Sequence, residues 1–242
     1  MQILHFSVQQ EINGQPISLF PTVIKTASEV VLIDCGYEET FEQFKRELTK
    51  LSIEIADITA IFISHDDIDH LGGLALFLQE NPAIQVYSSA VERSSICGEI
   101  KAERLIQAEN SLVHLPEDYR PWAENFIAQL KKIKRFPVNQ TFNDGDFVLE
   151  GLQVIDTPGH TQGHISLWDV ANGVLIANDA LVVEEGQLNI ANPQFTLDLP
   201  QAVLSVRKIQ ALQPKKIICY HGGIFETTIE EALDQVIQKY SV

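Results

Sequence analysis

The sequence predicts an α/β protein in which two similar halves pack into a single domain. Short apolar runs with strand-like composition occur in two blocks along the chain, and helical patterns close each block. No long linker, low-complexity tract or close repeat separates the blocks. The 242 residues could form one large domain or two small ones, and the absence of a linker favours one domain over residues 1–242.

The first block opens with a hairpin, followed by strand and helix patterns. Asn13-Gly14 is typical of a two-residue hairpin turn. The run 58–63 is almost wholly apolar, as expected for a strand buried on both faces. The predicted strands are residues 3–8, 20–25, 30–33, 58–63 and 84–87; one helix carries the stripe Phe41, Phe44, Leu48 and Leu51, and another covers residues 71–80.

Strand signals disappear between residues 88 and 136, where the pattern is helical with breaks at Pro116 and Pro121. We expect a helical insertion over about residues 88–136, and its length makes it a candidate lid. The basic run 131–135 is interpreted as a solvated helix end, because cations are favoured at the C-terminal end of the helix dipole.

The second block repeats the alternation of strands and helices. Its strand-like runs are short, and each leads into polar residues. Two amphipathic stripes near the end of the chain predict helices. The predicted strands are 152–155, 174–177 and 216–220, and the two helices carry the stripes Ala202, Val203, Val206, Ile209 and Ile229, Ala232, Leu233, Val236, Ile237.

Imidazoles and carboxylates follow directly after four predicted strands. Five of the seven histidines lie at these junctions, which a random scatter would rarely produce. If the strands share a sheet edge, these side chains converge there. In the segment 64–70, the alternation of 65, 67 and 69 would let an extended chain aim three side chains the same way. The candidate metal ligands are His65, Asp67, Asp69, His70, His160, Asp179 and His221.

These candidates can be divided between two divalent ions. Together such ions can hold a bridging hydroxide and polarise a carbonyl or phosphoryl oxygen. Imidazole and carboxylate donors without thiolate suit zinc, manganese or iron. We expect His65, Asp67 and His160 at one ion, Asp69, His70 and His221 at the other, and Asp179 bridging them.

The same residues carry a resemblance to a known family. His65-x-Asp67-x-Asp69-His70, followed by the segment 157–164, Asp179 and His221, resembles the metallo-β-lactamase superfamily of metal-dependent hydrolases, and so does the opening segment 32–36. The resemblance implies an αβ/βα four-layer sandwich, with metal ions at one edge of its two sheets. It does not select a substrate, because the superfamily includes lactonases, thioesterases, lactamases, phosphodiesterases, nucleases and flavodiiron oxidoreductases.

Asp67 departs from that pattern, since the hydrolases usually have a second histidine there. A carboxylate is shorter than an imidazole and would ligate only after the ion shifts, or through a water molecule. Flavodiiron proteins resemble this chain in having a carboxylate at that position, but their flavin domain is absent here. The sequence therefore leaves open whether the metal is zinc, manganese or iron. It also leaves open whether the Asp67 site is filled.

Three functions are compatible with these residues. In the first, metal-bound hydroxide attacks an ester, lactone or thioester of a small molecule, with Asp69 as the catalytic group that orients the nucleophile. In the second, a di-iron centre performs redox chemistry. In the third, a degenerate protein binds metal without catalysis. The intact remaining ligands favour the hydrolase. Asp34, His164 and Tyr220 are interpreted as structural neighbours of the ligands, and His114 as solvated.

Composition limits the partners. The net charge of −16 repels phosphate backbones, which argues against nucleic acid. No apolar run approaches the length of a membrane span, and the N-terminus lacks signal-peptide features, so a cytoplasmic protein is expected. Three unpatterned cysteines argue against disulfides or a thiolate site. The apolar residues of the insertion suit a partly apolar small molecule, and they could equally serve a homodimer.

Overall fold

Two six-stranded sheets face each other across an apolar interior in the computed structural model, which describes residues 1–12 and 14–241. The described strands are β1 (Gln2–His5), β2 (Val8–Ile12), β3 (Gln15–Leu19), β4 (Thr22–Lys25), β5 (Val30–Ile33), β6 (Ala60–Ile63), β7 (Gln85–Ser89), β8 (Gln140–Phe142), β9 (Phe147–Leu149), β10 (Leu152–Asp156), β11 (Ile165–Asp169), β12 (Val174–Asn178), β13 (Val182–Glu184), β14 (Gln187–Asn189), β15 (Lys216–Cys219) and β16 (Gly223–Phe225).

Helices cover the outer face of each sheet, which completes four layers. The interior between the sheets is filled by side chains such as Ile33 and Phe62 from one sheet and Leu167 from the other. Separate apolar clusters join each sheet to its own helices. The α-helices are α1 (Phe41–Lys50), α2 (Ile68–Leu71), α3 (Leu74–Glu80), α4 (Arg93–Ile96), α5 (Glu103–Leu112), α6 (Arg120–Lys132), α7 (Leu199–Ala211) and α8 (Ile229–Tyr240).

The strand directions bring the predicted ligand positions to one edge. The first sheet has the order β1-β4-β5-β6-β7-β8, and β5 to β8 run parallel. The second has the order β16-β15-β12-β11-β10-β9, in which β12 and β15 are parallel and β10 points the same way because β11 is antiparallel to both of its neighbours. The αβ/βα sandwich expected from the sequence is therefore confirmed.

Two local predictions were wrong. The predicted strand 3–8 is divided between β1 and β2, because β1 pairs with β4 whereas β2 and β3 form a separate two-stranded hairpin. Asn13, half of the predicted turn between β2 and β3, lies outside the described residues. The predicted helix 71–80 begins earlier, as α2, and is interrupted at Gly72-Gly73 before α3.

Between β7 and β8 the chain forms helices α4, α5 and α6, within the stretch where the sequence predicts an insertion. The basic run 131–135, at the end of this insertion, is not simply a solvated helix end. Lys131 forms an ion pair with Glu109, and Arg135 pairs with the buried carboxylate of Asp66. No helix among the described residues has the length and hydrophobicity needed to cross a bilayer.

Candidate metal centre

Helix α2 is held against the end of β5 by a close backbone approach. The N–H of Cys35 donates to the carbonyl of His70 at 2.9 Å, and the N–H of Gly73 donates to the carbonyl of Gly36 at 2.8 Å. Gly73 must lack a side chain, because a Cβ there would collide with the carbonyl oxygen of Cys35. This approach fixes the helical turn that carries Asp69 and His70.

The helical turn corrects the prediction that residues 65, 67 and 69 point the same way along an extended chain. Asp67 has an extended backbone, with φ −105° and ψ 153°, but it is the residue that precedes α2. The turn therefore separates the pair Asp69 and His70 from the pair His65 and Asp67 as potential ligands, although the rings of His65 and His70 stay close, with centroids 4.0 Å apart. The two pairs of side chains belong to two different clusters.

The larger cluster, which we call the four-residue group, joins Asp69, His70, Asp179 and His221. Its potential ligand atoms lie within 4.8 Å of one another. Nε2 of His221 is 3.1 Å from Oδ2 of Asp69 and 3.4 Å from Oδ2 of Asp179, and Nε2 of His70 is 3.5 Å from the same Asp179 oxygen. Two imidazoles and two carboxylates thus converge on one point.

The smaller cluster, the three-residue group, joins His65, Asp67 and His160. Nε2 of His160 is 3.1 Å from Oδ2 of Asp67, and Nε2 of His65 is 3.5 Å from it. Oδ2 of Asp179 is also 3.6 Å from Nε2 of His160, so Asp179 lies between the two groups. The structure brings together all seven residues that the sequence proposed. Their role as ligands stays a prediction.

Buried atoms without a partner show that the four-residue group fits a divalent ion. Nε2 of His70 and Oδ1 of Asp179 are buried and lack a hydrogen-bond partner among the described residues. Leaving such atoms unsatisfied is costly in a folded protein, and a cation would satisfy them. Nitrogen and carboxylate oxygen are the donors that zinc, manganese and iron accept.

The charges in the four-residue group favour a cation. Burial would raise the pKa of Asp179, but the neighbouring imidazoles of His221 and His70 hold it well below its usual value. Burial would lower the pKa of His221, but the carboxylates of Asp179 and Asp69 raise it to about 10. The two carboxylates thus hold protons on the imidazoles, and a divalent ion would take the place of those protons.

Asp34 fixes the orientation of His70. Nδ1 of His70 donates to Oδ2 of Asp34 at 2.8 Å, and Asp34 also accepts the backbone N–H and the hydroxyl of Ser64. A proton on Nδ1 leaves the lone pair of Nε2 directed into the four-residue group. Asp34 has φ 59°, a left-handed conformation that Asp tolerates better than most residues.

His164 and Tyr220 hold other parts of the site through hydrogen bonds. Nε2 of His164 accepts the backbone N–H of Asp179 at 3.1 Å, and its ring is fixed at Nδ1 by Thr157. The hydroxyl of Tyr220 donates to the backbone carbonyl of Asp69 at 2.8 Å. These contacts match the structural roles expected from the sequence. His114 is exposed on the insertion, as expected.

Arg104, from helix α5, enters the three-residue group and was not foreseen. Its side chain is 3% exposed. Nε donates to both oxygens of Asp67, at 3.0 and 3.1 Å, and Nη2 donates to Oδ2 at 2.7 Å. Nη2 is also 3.3 Å from Nε2 of His160. A guanidinium therefore lies against two of the three members of this group, which does not fit a second ion there as it stands.

Glu92 is a second buried group that sequence reasoning missed. Its Oε1 accepts the Thr161 hydroxyl at 2.5 Å and the Gly163 N–H at 3.1 Å, and its Oε2 accepts the Asp66 N–H at 3.2 Å. Burial raises the pKa of Glu92 to about 8. The side chain ties the loop that carries His160 to the segment after β6. No local pattern in the sequence marks it, because its partners are distant in the chain.

A cavity of about 730 Å³ opens onto the four-residue group. The helical insertion contributes Trp122 and Phe126, whose rings stack with centroids 5.6 Å apart, and the hairpin of β2 and β3 contributes Ile12 and Ile17. The volume is in the range of sites that bind small molecules. Other lining residues include Tyr37, Asp67, Ile68, Asp69, Arg104, His160, Asp179, Phe195 and His221.

Comparison with known proteins agrees with this architecture. The family model described as the metallo-beta-lactamase superfamily matches residues 20–221. The chain is 27% identical over 217 residues to the probable metallo-hydrolase YflN of Bacillus subtilis, covering 79% of this chain and 75% of that protein. It is 27% identical over 250 residues to the B. subtilis protein YobT, covering 99% and 98%.

A solved structure shares the fold. The chain superposes on the metallo-beta-lactamase family protein TTHA1429 of Thermus thermophilus with a TM-score of 0.74. The match covers 98% of this chain and 78% of that one at 21% identity. At that level of identity the likeness concerns the fold alone.

Proposed function

Because the chain belongs to the metallo-beta-lactamase superfamily and is a metallo-hydrolase of that fold, we propose that it hydrolyses an ester, lactone or thioester of a small molecule. The observation that carries the proposal is the four-residue group, which is complete, mostly buried and open to the 730 Å³ cavity. Its donors suit zinc, with manganese or iron as alternatives.

The chain's own residues have distinct tasks in this reaction. A divalent ion in the four-residue group would polarise the substrate carbonyl and lower the pKa of bound water. Asp34 and Tyr220 hold the turn of α2 in place through their contacts with His70 and Asp69. Asp69 is partly exposed to the cavity, so its carboxylate is the group that we propose orients the attacking water.

The cavity walls support a partly apolar substrate. Trp122, Phe126 and Phe195 form one aromatic wall, with Phe126 and Phe195 packed edge to face at 6.3 Å. Aromatic surfaces of this kind bind apolar groups by excluding water from both partners. We therefore propose that the helical insertion acts as a cap that selects the substrate.

The di-iron redox alternative relied on Asp67 as a metal ligand. Both oxygens of Asp67 accept hydrogen bonds from Arg104, so no structural observation favours that alternative over hydrolysis. The degenerate-protein alternative rests on the first site, that of His65, Asp67 and His160, no longer filling. Even without an ion there, all four donors of the four-residue group are present and converge, which favours a hydrolase.

The proposed function is tested by removing and restoring metal. We expect chelator-treated protein to lose hydrolysis of a panel of aryl esters, lactones and acyl thioesters, and zinc or manganese to restore it. Iron with visible absorbance and no hydrolysis would favour the redox alternative. Hydrolysis that persists without metal, or none across the panel in metal-loaded protein, would contradict the proposal.

The cap role predicts an effect on substrate binding. Replacing Trp122 with Ala should raise KM for an apolar acyl substrate about tenfold and leave kcat nearly unchanged, because it removes binding that is equal in ground and transition states. Val113→Ala is the matched control: Val113 is exposed on the same insertion and is not part of the cavity wall. Steady-state kinetics on both variants measure the two KM values. An unchanged KM in Trp122→Ala would contradict the cap role.

A further inference from the structure

We propose that Arg104 takes the place of a second ion, so that this chain binds one divalent ion and not two. The inference rests on the proposed ion in the four-residue group and concerns the three-residue group beside it. The sequence predicted two ions, with Asp67 as a ligand of one. The contacts of the Arg104 guanidinium give Asp67 a different task, which is to anchor a fixed positive charge.

The Arg104 guanidinium lies between two of the three potential ligands. Nη2 of Arg104 lies 2.7 Å from Oδ2 of Asp67 and 3.3 Å from Nε2 of His160. An arginine only donates hydrogen bonds, so the Asp67 oxygens that an ion would need already accept its N–H groups, and its positive charge lies beside Nε2 of His160. Among the described residues, two ring nitrogens of this group have no hydrogen-bond partner, Nε2 of His65 and Nδ1 of His160, but Nε2 of His160, which lies beside Asp67, is 3.3 Å from Nη2 of Arg104.

Arg104 is buried, and several side chains hold its guanidinium in place. Its fork on the Asp67 carboxylate uses both Nε and Nη2, a geometry that gives strong and directional pairing. Nη1 donates to Oε1 of Gln107 at 2.6 Å, and the guanidinium lies over the Phe195 ring at 5.6 Å. Residues from four parts of the chain therefore fix one orientation.

The carboxylates of the site balance the charge of one divalent ion together with Arg104. Three carboxylates face this part of the site, those of Asp67, Asp69 and Asp179. One divalent ion and one guanidinium supply three positive charges and match them. A second divalent ion would add two more positive charges at hydrogen-bonding distance from Arg104, in a buried site where repulsion is weakly screened.

This arrangement also gives the insertion a direct part in the site. Arg104 belongs to α5, and it lines the same cavity as the four-residue group. The guanidinium thus presents positive charge to a bound substrate at the place where the two-ion arrangement would have metal.

The test is the number of ions bound per chain. Metal-free protein is equilibrated by dialysis against increasing zinc, and bound metal is measured by mass spectrometry. We expect one ion in the wild type and two in Arg104→Ala, because the vacated space is then lined by a free carboxylate and two imidazoles. Arg104→Lys, which keeps the positive charge, should bind one. Gln107→Ala, which keeps the Asp67 fork, should also bind one.

The number of ions bound distinguishes a failure of this inference from a failure of the proposed function. Two ions in the wild type, or one in both the wild type and Arg104→Ala, would overturn the inference and leave the proposed hydrolase intact. No ion in the wild type would overturn the proposed ion and, with it, this inference. If Arg104→Ala does not fold, the double variant Asp67→His with Arg104→Ala offers three imidazoles and no unpaired charge. That variant should bind two ions, and a count of one would overturn the inference.

Discussion

Replacing Asp179 with alanine is expected to abolish metal binding and lower kcat/KM by about a thousandfold or more. Oδ2 of Asp179 lies within 3.6 Å of the Nε2 atoms of His70, His160 and His221, so this one oxygen contacts imidazoles of both groups. Its loss removes a carboxylate whose charge attracts the ion. A bound ion contributes several kcal/mol to transition-state stabilisation, and each 1.4 kcal/mol is about a factor of ten in rate.

Asp156→Ala is the control for this prediction. Asp156 ends β10 at the same edge of the second sheet, but it belongs to neither ligand group. It should keep stoichiometric metal and wild-type kinetics, with both variants folded by circular dichroism. If Asp179→Ala retained bound metal at wild-type affinity, the ligand assignment would be lost.

Replacing Asp34 with asparagine should weaken metal binding about 10- to 100-fold, although Asp34 does not point into the ligand group. Asparagine has nearly the same shape and tolerates the left-handed backbone at φ 59°. An amide nitrogen in place of Oδ2, however, cannot accept the hydrogen bonds that this oxygen receives from His70 and from the Ser64 hydroxyl. The ring of His70 then loses its fixed orientation, and its Nε2 lone pair is less available to the ion.

A competition titration with a chromophoric chelator measures this effect. Asp169→Asn is the matched control, because Asp169 is a buried carboxylate that accepts backbone N–H groups of its own loop, from Ala171 and Asn172, away from the ligand groups. It should lose stability but keep metal affinity. Equal losses of metal affinity in both variants would mean that Asp34 acts only through general stability.

The architecture was predictable because strand-like runs and the residues that follow them are local features of the sequence. The runs before His65, Asp179 and His221 identified three sheet strands, and parallel strands in a sheet place their carboxyl ends together. The composition of both ligand groups followed from that placement. The number of ions and the homodimer remain predictions.

Arg104 could not be predicted from the sequence for a physical reason. It is 37 positions from Asp67 and lies in a helix whose local pattern resembles any mixed surface helix. Only the packing of α5 over the site shows that the side chain of Arg104 points inward. The turn of α2 was missed for a related reason: four residues are too few to show a helical period, and the turn depends on contacts with the end of β5.

The four-residue group draws Asp69 and His70 from the first sheet's half of the chain and Asp179 and His221 from the second's. An ion held there is therefore a removable cross-link between two halves that also meet through apolar packing and through hydrogen bonds such as those of Glu92 and Tyr220. Because the unfolded chain does not preform this cluster, binding adds to the free energy of unfolding, by about 4 kcal/mol when free metal is a thousand times Kd. The supply of metal in the surroundings then controls how long a molecule survives proteolysis as well as whether it can react.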